Sequence, residues 1–270
     1  MAKQALCIIS YSDLQKVTTG EIEVIDTKFY DRTICEDPVN ELLQLIPYVL
    51  FYSVDEDNGR IHFLQYKRAS QGGDERLLSK TSIGFGGHID SEEDLTYKEV
   101  TIGDNGNTYY MTQDDLISTC IKTATREIIE EMGRDVLNEY SINIKKDSCF
   151  FFTGDREQDV NKVHIGLGIP VNIDMDTFNK ILQDCKDTIN KEEIEMIDDL
   201  SVRLDMIVED MNLNYSLNLL LNELVQNSNL EDWSAICIAY IIPRILNNML
   251  GHIKYQDILA LAKSKTVEKV

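Results

Sequence analysis

The chain has 270 residues, enough for one large domain or one domain with a substantial extension, and its 43% apolar content is enough for a packed core. The net charge of −21, from 26 basic and 47 acidic residues, opposes sequence-independent binding to nucleic-acid phosphates, which needs a basic surface. A small anionic substrate is compatible with that charge where a bound cation supplies the local positive field; the alternative is that the acidity serves solubility alone. The six cysteines (Cys7, Cys35, Cys120, Cys149, Cys185 and Cys237) show no CxxC pair and no Cys/His metal spacing. They read as buried or free thiols in a reducing compartment, with no zinc site.

At the N-terminus, MAKQALCIISYSDLQKV has a short apolar stretch but neither the apolar core nor the cleavage site of a signal peptide. EIEVIDTKFY at 21–30 alternates in a partly β-like way. IPYVLFYSV at 46–54 predicts a buried strand, ended by the turn-forming DEDNG at 55–59, with RIHFLQYKRA at 60–69 as its hairpin partner. A polar loop follows, QGGDERLLSK at 71–80, and then TSIGFGGHID at 81–90, whose glycines let the backbone approach another group closely. DNGNT at 104–108 predicts a turn, and a long helix runs from about Gln113 to Met132, closed by Gly133 as a left-handed residue. SCFFFTG at 148–154 and VHIGLGIPVNI at 163–173 predict two further strands joined by DREQDVNK. Beyond 175 the pattern is mostly helical, in FNKILQDC, SLNLLLNELVQ and Trp233 to Leu250, with Pro243 expected to kink the last of these. Residues 190–212 read equally as one amphipathic helix or as a strand plus a helix. AICIAYII at 235–242 is far too short to span a bilayer, so a cytoplasmic protein is expected.

Within the long helix, residues 126–133 read REIIEEMG. At 100° per residue, Ile117, Ile121, Ala124 and Ile128 form one apolar stripe, and Glu127, Glu130 and Glu131 occupy an adjacent arc. Three like charges so placed weaken the helix by a few tenths of a kcal/mol per pair unless a cation is bound, and hard oxygen ligands suit Mg²⁺ or Mn²⁺. Arg126 lies four residues before Glu130, so it is placed to pair with that carboxylate and hold its rotamer. The competing reading is an ordinary solvated helix end.

The octet resembles the Nudix box, in which a glycine turn is followed by Arg, Glu, an aliphatic residue, any residue, Glu, Glu, any residue and Gly. Arg126, Glu127, Ile128, Glu130, Glu131 and Gly133 fit all six constrained positions. A match of that quality arises by chance in roughly one chain in 10,000. The first half of the box is also similar: Gly87 is followed by five residues and then Glu93, in GGHIDSEE. The departure lies between Glu93 and Arg126, where this chain has 32 residues and the family has seven, an insertion of 25 over about 94–118 that puts Glu93 in doubt as a metal-site residue. Arg134 also stands where an aliphatic residue is usual. IPYVLF, the GGDERL loop, SIGFGGHID, VHIGLG and EDWS further resemble a Nudix subgroup known only as predicted phosphoesterases, over about residues 40–235.

The resemblance implies an α/β fold, a mixed β-sheet sandwiched between helices, with 1–175 as the core and 176–270 as a mostly helical C-terminal part. It implies metal-dependent hydrolysis of a nucleoside diphosphate linked to another group, such as a nucleotide-sugar, a dinucleotide, an ADP-ribose-like compound or a nucleoside triphosphate. By position, Glu127, Glu130 and Glu131 would hold Mg²⁺ or Mn²⁺, with the Gly87 carbonyl as a further ligand and Arg126 orienting a carboxylate. One of the Glu would serve as base, or the loop with Asp155, Glu157 and Asp159 would supply it, although a solvated turn is the plainer reading for that loop.

Arg68, Arg76 and Lys80 are candidates for phosphate contacts, against surface salt bridging, and His88 is a candidate substrate contact, against a backbone-bonding turn residue. His164 is read as a satisfied core or sheet-surface residue rather than a ligand, and Tyr48, Phe51 and Tyr66 as core aromatics, against stacking on a base. The helical tail, with Trp233, Ile236, Tyr240 and Met249 on one apolar surface, is core or else a homodimer or partner surface. The expected partners are a small nucleotide-diphosphate substrate, with no long nucleic acid and no membrane. Two other classes compete: a non-catalytic nucleotide sensor acting through a partner on the helical tail, expected to lose a metal Glu, and a diphosphate isomerase, whose Cys and Glu motif is missing here.

Overall fold

The protein is described from a computed structural model over residues 3–8, 11–69, 80–104, 106–157, 159–204 and 229–250. In chain order the strands are β1 (Gln4–Ile8), β2 (Ile25–Asp31), β3 (Leu43–Asp55), β4 (Arg60–Arg68), β5 (Thr81–Ser82), β6 (Glu99–Thr101), β7 (Thr108–Met111), β8 (Phe150–Phe152), β9 (His164–Asn172) and β10 (Ile194–Arg203). The helices are α1 (Tyr11–Thr19), α2 (Arg32–Cys35), α3 (Gln113–Met132), α4 (Val136–Glu139), α5 (Asp159–Val163), α6 (Met175–Cys185) and α7 (Asp232–Leu250). The fold is mixed α/β with antiparallel sheet pairing throughout the registers given below. No helix among the described residues is long and apolar enough to cross a membrane.

Chain contacts divide the molecule into two compact units, and β3 and α3 lend residues to both. The first unit comprises Met1–Tyr48, Gly86–Glu127 and Lys145–Ile169. Its strands run in the order β3, β1, β2, β7, β6. Cys7 in β1 lies opposite Gln44 of β3 on one side and Lys28 of β2 on the other. The insertion predicted between the halves of the box forms most of the far edge of this sheet: β7 pairs with β2 from Ile25↔Met111 to Lys28↔Thr108, and β6 returns on β7 through Val100↔Tyr109. Buried Ile25, Tyr109 and Met111 anchor it, so the insertion is sheet rather than a loose loop. In the same unit β8 pairs with the first residues of β9, from Phe150↔Gly168 to Phe152↔Gly166.

The second unit comprises Val49–Phe85, Ile128–Ile144 and Pro170–Val270. The predicted hairpin is present as β3 and β4, in register at Tyr52↔Phe63 and Asp55↔Arg60. Asp55 closes its turn by accepting from the Asn58 backbone N–H at 3.1 Å. The ambiguous stretch after 190 resolves over its described part as a strand: β10 pairs along the whole of β4, from Ile194↔Arg68 to Arg203↔Arg60. Its pattern mimicked a helix for two physical reasons. A bulge between Ile194 and Met196 breaks the two-residue period, and burial falls on both faces, at Ile197 on one and at Leu200 and Val202 on the other. Phe51, Tyr66 and Phe85 form the aromatic centre, with Tyr66 and Phe85 ring centroids 4.9 Å apart. Tyr66 and Phe51 are at most 1% exposed, and Tyr48 in the first unit is 4% exposed, so all three are core residues as expected. FNKILQDC lies in α6, where Asp174 caps the helix by accepting from the Thr177 N–H at 2.9 Å. SLNLLLNELVQ falls outside the described residues. The last helix, α7, continues through Pro243, and its most buried side chains are Cys237, Ile238, Ile242 and Leu246, with Trp233, Ile236 and Tyr240 only partly covered.

Candidate active site

Helix α3 begins with a reciprocal cap that the sequence reading missed. The Thr112 hydroxyl accepts from the Asp115 N–H at 3.1 Å, and the Asp115 carboxylate accepts from the Thr112 N–H at 2.9 Å. The buried face then runs through Leu116, Cys120, Ala124 and Ile128, all fully buried, with Thr119 and Thr123 beside them. The predicted stripe therefore needs a correction: Ala124 and Ile128 are buried as expected, but Ile117 and Ile121 are only partly covered, and the core face is rotated by about 50° towards Leu116 and Cys120. Leu116 is preferred because Thr119 and Thr123 on that side have polar work to do. Thr119 exchanges hydrogen bonds with the Thr96 backbone, and Thr123 donates to Asp94 at 3.0 Å.

The rotation sets the environment of each carboxylate. Glu131 lies seven residues beyond Ala124, two turns along the buried face, and is 4% exposed. The Glu127 side chain is 15% exposed, and Glu130 is exposed. Among the described residues, no three His, Cys, Asp or Glu side chains stand close enough together to hold a metal ion. Glu127, Glu130 and Glu131 thus follow one another at one helix end in three different degrees of exposure.

In the first unit, Gly87 faces Glu127 so closely that a β-carbon there would lie 2.3 Å from the Glu127 Oε2 atom. The carboxylate occupies the space a side chain would fill. Arg126 binds it from the other side, with Nη1 2.8 Å from Glu127 Oε1. The same guanidinium reaches Asp90 at 2.8 Å and Asp94 at 3.3 Å. One cation therefore serves at least three carboxylates, which explains why Glu127 is oriented by its neighbour Arg126. Asp90 and Asp94 were missed by the sequence reading, although they flank the expected Glu93; Glu93 itself is exposed, on a single helical turn capped by Ser91.

The end of α3 is held within the second unit. Gly133 has φ +67°, the left-handed conformation expected of it, and the Thr188 carbonyl oxygen would lie 2.0 Å from a β-carbon there. The Thr188 hydroxyl donates to the Met132 carbonyl at 2.6 Å, and the Asn190 N–H donates to the Glu131 carbonyl at 2.8 Å. These bonds satisfy carbonyls that a helix end leaves open.

Of the phosphate-contact candidates, Arg68 closes β4 and its Nε lies 3.4 Å from buried Glu231. Glu231 also accepts from Ser82 and Ser234, and Ser234 in turn accepts from the Ile83 N–H at 3.0 Å. The EDWS segment thereby straps the start of α7 to β5, a role that Glu231 plays and sequence reasoning did not assign. Arg76 and the GGDERL loop lie outside the described residues. Lys80 is partly buried, and its carbonyl accepts from the Arg68 N–H at 3.0 Å. His88 is pushed down to about 3, first by burial and then by the positive charge of Arg32, so it is neutral at ordinary pH. Its buried Nε2 has no hydrogen-bond partner among the described residues, and its ring lies 5.6 Å from that of His164. His164 Nε2 meets the Gln44 amide at 3.2 Å, as suits a polar side chain satisfied within the sheet. Asp155 accepts from the Glu157 N–H at 3.0 Å, and Asp159, the first residue of α5, pairs with Lys162 at 2.8 Å; all three acidic residues are exposed.

Fold and helix together define a mixed α/β protein whose longest described helix carries Glu127 against Gly87. Among solved structures the chain is similar to Tm1382, a candidate Nudix hydrolase, at 16% identity and a TM-score of 0.41, covering 92% of this chain and 100% of that one. It is also similar to a MutT/Nudix family protein of Listeria innocua (13% identity, TM-score 0.41, 77% and 96% covered) and to one of Enterococcus faecalis (9%, 0.32, 82% and 81%). No family model matches the chain, and no curated protein does.

Proposed function

We propose that the protein is a Nudix-type pyrophosphohydrolase that uses Mg²⁺ or Mn²⁺ to hydrolyse the pyrophosphate linkage of a nucleoside diphosphate joined to another group. The observation that carries this reading is the seat of Glu127 against Gly87, where a carboxylate oxygen fills the space of the missing side chain. It supports the two halves of the box acting together despite the 25-residue insertion between them. Glu127, Glu130 and Glu131 supply hard oxygen donors within a little over one turn of α3, the chemistry a small divalent cation requires, and the Gly87 carbonyl is a further donor. When bound, the cation polarises the diphosphate and neutralises the charge that develops on it. Arg126 fixes the Glu127 carboxylate, and its pairing with Asp90 and Asp94 holds the guanidinium in place while that carboxylate binds. One of the Glu takes the proton of the attacking water. Arg68, Arg76 and His88 are the substrate-binding candidates. Arg68 is the weakest of them, because Glu231 already neutralises part of its charge. The partner is a small nucleotide-diphosphate in the cytoplasm, with no long nucleic acid and no membrane, and the helical tail is the candidate homodimer surface.

The second reading is a non-catalytic nucleotide sensor acting through a partner on the helical tail. The test is release of phosphate or nucleotide from a panel of nucleotide-sugars, dinucleotides, ADP-ribose and nucleoside triphosphates with Mg²⁺ or Mn²⁺. Turnover of one substrate, with Glu130→Gln and Glu131→Gln each losing about a hundredfold or more, establishes hydrolysis. Nucleotide binding that stabilises the protein without turnover establishes the sensor.

A further inference from the structure

Cys7 in β1 and Cys35 at the end of α2 place their sulfur atoms 3.1 Å apart. A disulfide bond is about 2.05 Å long, so closing this pair takes about 1 Å of movement. Both thiols are fully buried, in a small cluster with Ala5 and Leu42 against Tyr30. Each sulfur also touches a carbonyl, Cys35 that of Asp31 at 3.3 Å and Cys7 that of Ala5 at 3.7 Å. A buried cysteine standing alone is usually an inert small hydrophobe. Two that face one another at this distance, 28 residues apart in the chain, are a different chemical object.

We propose that Cys7 and Cys35 form a reversible oxidation site, closing to an intramolecular disulfide in the presence of a low-molecular-weight disulfide. The Cys35 thiol is pulled down, chiefly because Cys7 donates its S–H to it, and Cys7 is pushed up by that same bond and by burial. Cys35 is therefore the attacking thiolate. It attacks one sulfur of the oxidant, releasing the other half as a thiol and leaving a mixed disulfide on Cys35. The Cys7 sulfur then loses its proton and attacks the Cys35 sulfur, releasing the second thiol. One oxidant disulfide is reduced to two thiols for each protein disulfide formed. Because Cys35 is buried, the attack requires local opening of α2, a helix of only four residues in which Thr33 and Ile34 are exposed. The crosslink would tie α2 to β1, whose Leu6 N–H donates to the Ile89 carbonyl at 2.8 Å, two residues after Gly87.

The experiment incubates the native protein with oxidised glutathione, blocks free thiols, and maps the unreduced digest by mass spectrometry. The expected result is one crosslinked peptide joining Cys7 to Cys35, a fall from six to four thiols in denaturant, and full reversal by dithiothreitol. Cys35→Ala should keep all five remaining thiols, and Cys7→Ala, which lacks the resolving thiol, should form no protein disulfide and carry at most one glutathione, on Cys35. Six thiols surviving, a stable glutathione adduct without closure, or a link between another pair such as Cys120 and Cys149 would overturn the proposal. The wild-type digest decides even where a variant fails to fold, and no outcome depends on the catalytic reading.

Discussion

Alanine at Gly133 and alanine at Gly87 should have opposite consequences, because the atoms each new methyl group meets differ in kind. At Gly133 the backbone is left-handed, with φ +67°, which costs an L-residue about 1–2 kcal/mol. The methyl carbon would also lie 2.0 Å from the backbone oxygen of Thr188, and relieving that overlap by moving main chain costs about 1–3 kcal/mol more. Gly133→Ala is therefore expected to lose about 2–5 kcal/mol of stability. At Gly87 the backbone is outside the left-handed region and the obstacle is the far end of a flexible side chain, Glu127 Oε2 at 2.3 Å. Swinging that carboxylate away breaks its pair with Arg126, which is worth about 0.5–1 kcal/mol for side chains 30% and 15% exposed. The stiffer unfolded chain returns about 0.4–1 kcal/mol. Gly87→Ala should thus stay within about 1 kcal/mol of wild type while losing about a hundredfold in the proposed hydrolysis, as expected when the proposed metal ligand Glu127 is displaced by an ångström or more. Urea unfolding and the hydrolysis panel measure the two quantities on the same preparations. A stable Gly133→Ala, a Gly87→Ala that loses more than about 2 kcal/mol, or one that keeps its full rate would refute this account.

Glu231→Gln should cost about 1–3 kcal/mol in urea unfolding, because a buried carboxylate accepting from Ser82 and Ser234 is replaced by a weaker acceptor; the part-exposed Arg68 adds little. An unchanged midpoint would show that the strap between β5 and α7 is dispensable. Asp174 titrates below its usual 3.8 because its carboxylate accepts from the Thr177 N–H and hydroxyl. Its contribution is fully present above 3.8 and is lost as pH falls through the lower folded value, so Asp174→Asn should flatten the acid limb of the stability curve below 3.8 and leave pH 7 nearly unchanged. An acid limb identical to wild type in that variant would place the transition on other carboxylates, such as Asp31 and Asp55, which are lowered in the same way.

Much of the chain was legible because local patterns agreed with their surroundings. The β3/β4 hairpin carries its own turn in DEDNG, and α3 carries its own stop in Gly133, so each was predicted close to its observed bounds. Misreadings arose where tertiary contacts chose between equal local options. Ile117 and Leu116 are both apolar, and only the hydrogen bonds of Thr119 and Thr123 to Thr96 and Asp94 show which side of α3 turns inward. β10 has no local signal that could compete with its bulge, and it is a strand because β4 offers a full row of backbone partners.

The sequence by itself determined the residue types and spacing that can do chemistry: a glycine turn, then Arg126, Glu127, Glu130 and Glu131 on one helix, in a chain too acidic to favour a polyanion. Helical periodicity suffices for that, because i, i+3 and i+4 positions share a face whatever the helix packs against. Only the tertiary structure decided how deeply each carboxylate is buried, that Asp90 and Asp94 share Arg126 with Glu127, that the insertion is sheet edge, and that Cys7 meets Cys35 across 28 residues. Each of those depends on contacts between segments distant in the chain, whose energies no local pattern encodes.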